Sequence, residues 1–231
     1  MALFASQAIS KKLGAHYDEK LKEQQAIQYR KKVMQEKNWD KFSKEIFEQQ
    51  NKVRVNPKVY IGYLEKCLGR FKGKILYSED NKSFIETKEG PSAYTEAIEY
   101  LRTQRGMPEF KWSPILMKAA KDHVNDIGPK GLVSSMGSNG SLPTDRIAKY
   151  GKIDETWAES NIFGGLNAKE VVERLLVCDG QPTRGFRKSL YNDQLHECGI
   201  FAGLHKTHDN VIQIEYVKKI LKEGEAPSIN I

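Results

Sequence analysis

Apolar residues in the first fifth of the chain fall at helical intervals. Residues 10–50 are charged and free of proline, and Gly14 is their only glycine. Leu13, Tyr17 and Leu21 recur every four residues, and Ile27, Met34, Phe42 and Ile46 continue the stripe intermittently. Residues three or four apart share a helix face, so this pattern predicts one or two helices with a thin apolar stripe. So narrow a stripe buries little surface, and the helix needs a partner, either its own domain or another protein. The stretch WDKFSKEIFEQQNKVRVN predicts a helix stopped at Asn56-Pro57, because proline pushes the residue before it out of the helical region. KVYIGYLEKCLGRF reads as a short helix. Residues 69–91 hold Gly69, Gly73, Gly90, Pro91 and the turn SEDNK, which predicts a loop with room for a short hairpin.

From Ser92, SAYTEAIEYLRTQ has a serine cap and helical spacing at Tyr94, Ile98 and Leu101, ended by Gly106 and Pro108. SPILMKAAKDHVNDIG follows, with Ser113 as cap, Pro114 at the first helical position and Gly128 as the stop. Residues 128–144 are rich in Gly, Ser and Pro and predict a loop, and TDRIAKYG a short helix. AKEVVERLLVCDG predicts another helix, with Val171, Val172, Leu175 and Leu176 facing a core. HECGIFAGLHKTHDNVIQIEYVKKI predicts strand, turn, strand. Ile200, Ala202 and Leu204 alternate on one side of the first strand, and Val211, Ile212, Ile214 and Tyr216 follow the KTHDN turn. Helices interleaved with strands indicate an α/β layered domain.

Composition narrows this. The chain has 231 residues, 39% apolar and 29% charged, with a net charge of +7. That length suits one well-cored domain plus an extension, and mixed charge excludes disorder driven by single-sign repulsion. The basic balance fits an acidic partner as well as plain solubility. No run approaches the roughly 18 apolar residues of a membrane span. The opening MALFASQAI lacks a preceding basic region and is followed by lysines, the reverse of a secretory signal, which points to the cytoplasm. Cys67, Cys178 and Cys198 are odd in number and widely spaced, giving neither a disulfide framework nor a CxxC pair for zinc. The basic residues lack the aromatic platforms of single-strand nucleic-acid binders. GSNGS lacks the lysine and preceding strand of a phosphate-binding loop. His196, His205 and His208 cluster around the terminal hairpin, and HKTH on its turn reads as surface histidines.

Five segments, in order over residues 45–217, carry a family resemblance: NKVRVNPKVYIGYLE; LRTQRGMPEFKWSPILMKAAKDHVND; GLVSSMGSNGSLPTDRIAKYG; ESNIFGG with AKEVVERLLVCDGQPTRGFR; and HECGIFAG. Together they resemble the CAP superfamily, also called SCP, after cysteine-rich secretory proteins, antigen 5 and pathogenesis-related 1. The resemblance implies an α-β-α sandwich at 41–221, preceded by a charged helical extension at 1–40 and followed by a tail at 222–231.

Many CAP domains carry a cleft of two histidines and two acidic residues that in some members binds a divalent metal. Carried over position by position, His123 matches the first histidine. Phe186, in RGFR, stands where the second belongs, and phenylalanine neither ligates a metal nor moves a proton. Ser160 directly precedes Asn161-Ile162 where the family has glutamate, and a one-residue slip would restore Glu159. Cys178 or Asp179 takes the second acidic position, depending on alignment. Ser135 replaces a further histidine and Asn139 an aspartate. One histidine and one carboxylate are too few for zinc, which takes at least three protein ligands. His123 then reads as a histidine on the inner face of a helix, bonded to backbone.

The resulting expectation is a non-catalytic scaffold protein without cofactor or metal. It would bind other proteins, an acidic polymer such as tubulin being suited to its basic N-terminal helix, with a ciliary axoneme as the setting. Two other classes stay open. One is a lipid, sterol or membrane-surface module, against which the narrow apolar face argues. The other is a hydrolase, metal-assisted or built on a Cys178–His123 pair.

Overall fold

The computed structural model describes residues 21, 23–81, 84–154 and 156–221. The expectations for Leu13, Tyr17 and the tail at 222–231 lie outside these described residues. Helix α1 covers residues 23–35 and α2 covers Trp39–Val55. They part at Asn38, whose side chain accepts the Lys41 N–H (3.0 Å) as the cap of α2. The described part of the segment 10–50 is therefore two helices. A short 3-10 turn at Pro57–Tyr60 leads into α3 (Ile61–Leu68).

Residues 71–86 then fold as a three-stranded antiparallel meander of β1 (Phe71–Lys72), β2 (Ile75–Tyr77) and β3 (Phe84–Glu86). That is one strand more than a hairpin. Helix α4 (Pro91–Thr103) and its cap start two residues earlier than the expected Ser92 cap implies. Gly90, with φ 69, is its cap, while the Ser92 hydroxyl donates to the Glu89 carbonyl (2.8 Å). After β4 (Lys111–Trp112) comes α5 (Pro114–Lys130), with Ser113 as cap. Gly128 does not stop α5. It lies where the helix meets the end of a central strand, and a Cβ there would sit 2.3 Å from the Leu204 carbonyl oxygen. Gly131, at φ 69, ends the helix in the left-handed conformation that glycine adopts without strain.

Beyond the loop come α6 (Pro143–Ala148), β5 (Lys152–Ile153), β6 (Trp157–Phe163), α7 (Ala168–Val177) and α8 (Gly185–Leu190). The hairpin of β7 (Glu197–His205) and β8 (Asp209–Val217) and the short β9 (Ile220–Leu221) complete the chain. The central sheet has the order β4-β7-β8-β6. β4 runs parallel to β7, and the other neighbours are antiparallel.

Helices α5 and α6 cover one face of this sheet, where Leu116, Val124 and Ile127 meet Phe201, Val211 and Val217. The other face carries α2, α3, α4, α7 and α8 over Ile162, Ile200 and Ile214. This is the α-β-α sandwich. Val171, Val172, Leu175 and Leu176 of α7 are all fully buried, each stabilising by roughly 1.5–3 kcal/mol before entropy is counted. Because both faces are covered, β7 and β8 are buried on both sides. Leu204 is the exception, exposed near the turn, so the expected Ile200, Ala202, Leu204 alternation fails at its last member. Helix α1 docks on the sandwich through buried Ala26 and Met34 and through Arg30 Nε to Asp209 Oδ2 (2.5 Å). Among the described residues, no helix is long and apolar enough to cross a membrane.

Candidate functional site

The α5 face that meets the sheet is apolar apart from His123, which shares it with Ala119, Ala120, Val124 and Ile127 and has no exposed surface. Its Nε2–H donates to the Ser134 carbonyl (2.9 Å), which sets the tautomer. Burial first, and then the Arg146 guanidinium, lower its pKa to about 4, against the opposing pull of the Ser134 carbonyl. The ring is therefore neutral at neutral pH.

Strand alternation places Glu159 and Asn161 of β6, and Gln213 and Glu215 of β8, on this same sheet face. The register pairs Glu159 with Glu215 and Asn161 with Gln213. Asn161 Nδ2 donates to the Ser134 carbonyl (3.0 Å) and lies 3.5 Å from His123 Nε2. Gln213 Nε2 donates to Glu159 Oε2 (2.8 Å) and to Glu215 Oε1 (2.9 Å). Arg146, from α6, is 2% exposed. It donates to the Ser135 and Ser141 carbonyls (3.1 Å each) and to Glu159 Oε2 (3.2 Å), and lies 3.7 Å from Glu215 Oε1. Burial, and then the neighbouring Glu159 charge, push the Glu215 pKa up to about 8. Five buried atoms in this cluster meet no hydrogen-bond partner among the described residues: His123 Nδ1, Arg146 Nε, Asn161 Oδ1, Gln213 Oε1 and Glu215 Oε2. The arrangement is a buried polar core in which one guanidinium neutralises one carboxylate.

The sheet divides the remaining candidates. Glu159 shares His123's face, whereas Ser160 points to the opposite one, opposite Ile214. Cys178 does not lie on the α7 helix. It follows it as the C-cap in a left-handed conformation (φ 50, ψ 45), with Sγ donating to the Leu175 carbonyl (3.2 Å). Burial raises its thiol pKa, although the backbone N–H groups of Arg187 and Phe186 oppose this. Phe186 packs on the core of that second face. Cys178 and Phe186 therefore sit across the sheet from His123, and no thiolate–imidazolium pair forms. Asp179 accepts the backbone N–H groups of Lys88 (2.7 Å) and Glu89 (2.8 Å), a structural tie to the start of α4. Ser135 is exposed and contributes only its carbonyl.

The metal set implied by the family resemblance does not fit these residues. His123 Nε2 is committed to a carbonyl, Glu159 faces a guanidinium, and Phe186 lies on the far side. Among the described residues, no three His, Cys, Asp or Glu side chains converge to hold a metal ion. His205 also departs from the surface position expected of it. It is buried, its Nε2–H donates to the Leu132 carbonyl (3.1 Å), and its ring packs edge-on against Phe163. Sequence reasoning missed Arg146, Asn161, Gln213 and Glu215 as site members. The available signal was the pair of polar residues at i and i+2 in the otherwise apolar VIQIEYV.

Comparison with curated proteins gave no match. Among solved structures, an extracellular SCP-domain protein of Bacillus anthracis is 17% identical with a TM-score of 0.42. The match covers 55% of this chain and 38% of that one, so the chain spans well under half of that relative. An outer surface protein of Borrelia burgdorferi is 22% identical, with a TM-score of 0.43, over 58% of this chain and 96% of the other. A cysteine-rich secretory protein of Staphylococcus aureus is 14% identical, with a TM-score of 0.39, over 55% and 37%. The model of the cysteine-rich secretory protein family, CAP, matches residues 95–216, just over half of the chain. That span runs from α4 through the polar cluster to the end of β8, and the chain belongs to the CAP family.

Proposed function

We propose that this CAP-family chain is a non-catalytic scaffold that works by binding another protein. The observation that supports this most is the Arg146–Glu159 pair beside neutral His123. A cation and its counter-charge occupy the ground where a metal or a proton-transfer pair would have to assemble. The partner's chemistry follows from the net charge of +7 and from exposed Lys31 and Lys32 on α1. These suit an acidic surface, of which a cytoplasmic polymer such as tubulin, in a ciliary axoneme, is the first to test. Co-sedimentation of the full chain with microtubules and with anionic liposomes, each at rising salt, tests the reading. Microtubule binding that weakens with salt, and weakens further in a Lys31→Glu, Lys32→Glu variant, is the expected result. Salt-insensitive liposome binding, with no microtubule binding, overturns it in favour of a lipid module.

A further inference from the structure

A cavity lies away from the polar cluster, among α1, the β2–β3 edge of the meander and α7. Its empty volume is about 360 Å³ counting the open mouth. α1 and the meander lie outside the residues that the family model matches. Three arginines line it: Arg30, Arg70 and Arg174.

Their guanidinium groups are unevenly satisfied. Arg70 donates to the Tyr77 carbonyl and to Cys67 Sγ (2.9 Å each). Arg30 uses Nε on Asp209, leaving its terminal nitrogens. Arg174 is half-buried, and among the described residues its side chain makes no hydrogen bond and no ion pair. The tips of Arg30 and Arg174 converge over Gly164, where a Cβ would lie 3.7 Å from Arg30 Nη2 and 3.6 Å from Arg174 Nη2. Gly164 is held at φ 76 and Gly165 at φ 118, so the loop under the two cations is bare backbone.

The cavity's own carboxyl groups form no ion pair or hydrogen bond with the Arg174 side chain. Glu170 accepts the Leu166 N–H and the Asn167 side chain (2.8 Å each) at the start of α7. Glu173 is buried and takes the Tyr63 hydroxyl (2.8 Å) and the Tyr94 hydroxyl. Two like charges that converge with unused N–H groups call for an anion with several acceptor oxygens, and the planar guanidinium fork matches phosphate geometry. Leu76, Phe84 and Ile85 supply apolar lining to the same cavity. We infer that this cavity binds a phosphate monoester, with the phosphate between Arg30 and Arg174 and the organic body against Leu76, Phe84 and Ile85.

Isothermal titration of the full chain with phenyl phosphate at low salt tests the assignment. Saturable one-site binding that weakens with salt is expected, with benzoate binding more weakly. Arg174→Gln weakens it about tenfold or more, as loss of a charge-assisted bond does. Phe84→Glu, which sets a carboxylate at the exposed rim, weakens it as well and leaves folding intact. Arg105→Gln, an exposed arginine elsewhere, leaves it unchanged. No saturable heat, equal affinity in the Arg174 and Phe84 variants, or benzoate binding as tightly as phenyl phosphate overturns the assignment.

Discussion

Glu215 has no exposed surface, and its pKa stands at about 8 in the fold. An unfolded glutamate titrates near about 4.3, so the folded state holds the proton more tightly. The resulting stability is fully present below the unfolded value and is lost as pH rises towards 8. His123 runs the other way, because its folded value of about 4 lies below the roughly 6.5 of an unfolded histidine. Its contribution is present above the unfolded value and is lost as pH falls towards 4. Of these two groups, only Glu215 titrates between about pH 6.5 and 8. Urea unfolding should therefore show stability falling across that window, and Glu215→Gln should flatten the fall. A wild-type stability that rises with pH there, or an unchanged slope in the variant, contradicts this account. His123 was legible in the sequence because a motif carries it. Glu215 and Gln213 were not, since a polar residue in a strand reads as solvent-facing until the fold shows a helix laid over that face.

At the scale of elements, the segment TRGFRKSLYN is held by charge and by packing together. Arg184, in a left-handed conformation, grips Glu89 with two bonds (2.6 and 2.8 Å) and reaches Glu96 (3.1 Å), which Arg187 also contacts. This fixes α8 against α4 and turns Phe186 into the core cluster. Replacing Phe186 with histidine should then cost packing without creating a metal site, because His123 lies across the sheet. The expected outcome for Phe186→His is a loss of about 1–3 kcal/mol in chemical denaturation, with zinc binding no tighter than wild type by calorimetry. Tight zinc binding in that variant would show that the cleft residues approach one another after all. The helices of this layer were readable from spacing and caps. Strand β6 was not, because WAESNIF sends Glu159 and Asn161 into the polar cluster on one side and Ser160 and Ile162 to the other, which erases alternation. The meander's strands, two or three residues long, are too short to carry a period at all.

For the whole molecule, the open matter in the sequence was whether the charged N-terminal helix stands apart from the sandwich. It does not: α1 buries Met34, whose sulfur accepts the Asn210 amide (3.4 Å), and Lys37 Nζ donates to the Leu166 carbonyl. Of the described stripe members up to the end of this helix, Met34 is spent on its own domain, while Leu21 and Ile27 remain exposed. An isolated helix of this length is marginal in water, since it falls within the roughly 12–15 residues at which even alanine-rich helices only begin to hold. The order of residues 23–35 should therefore depend on their docked contacts, of which the Met34 thioether is the most buried. Met34→Asp places a charge in that contact, and hydrogen exchange should then speed up about tenfold or more across residues 23–35. Amides of α5 and β8, in the sandwich interior, should keep their wild-type rates. Unchanged exchange in 23–35 would mean that the helix is held by something other than its docked face. Accelerated exchange throughout the sandwich would mean that α1 is part of the cooperative core rather than an element laid upon it.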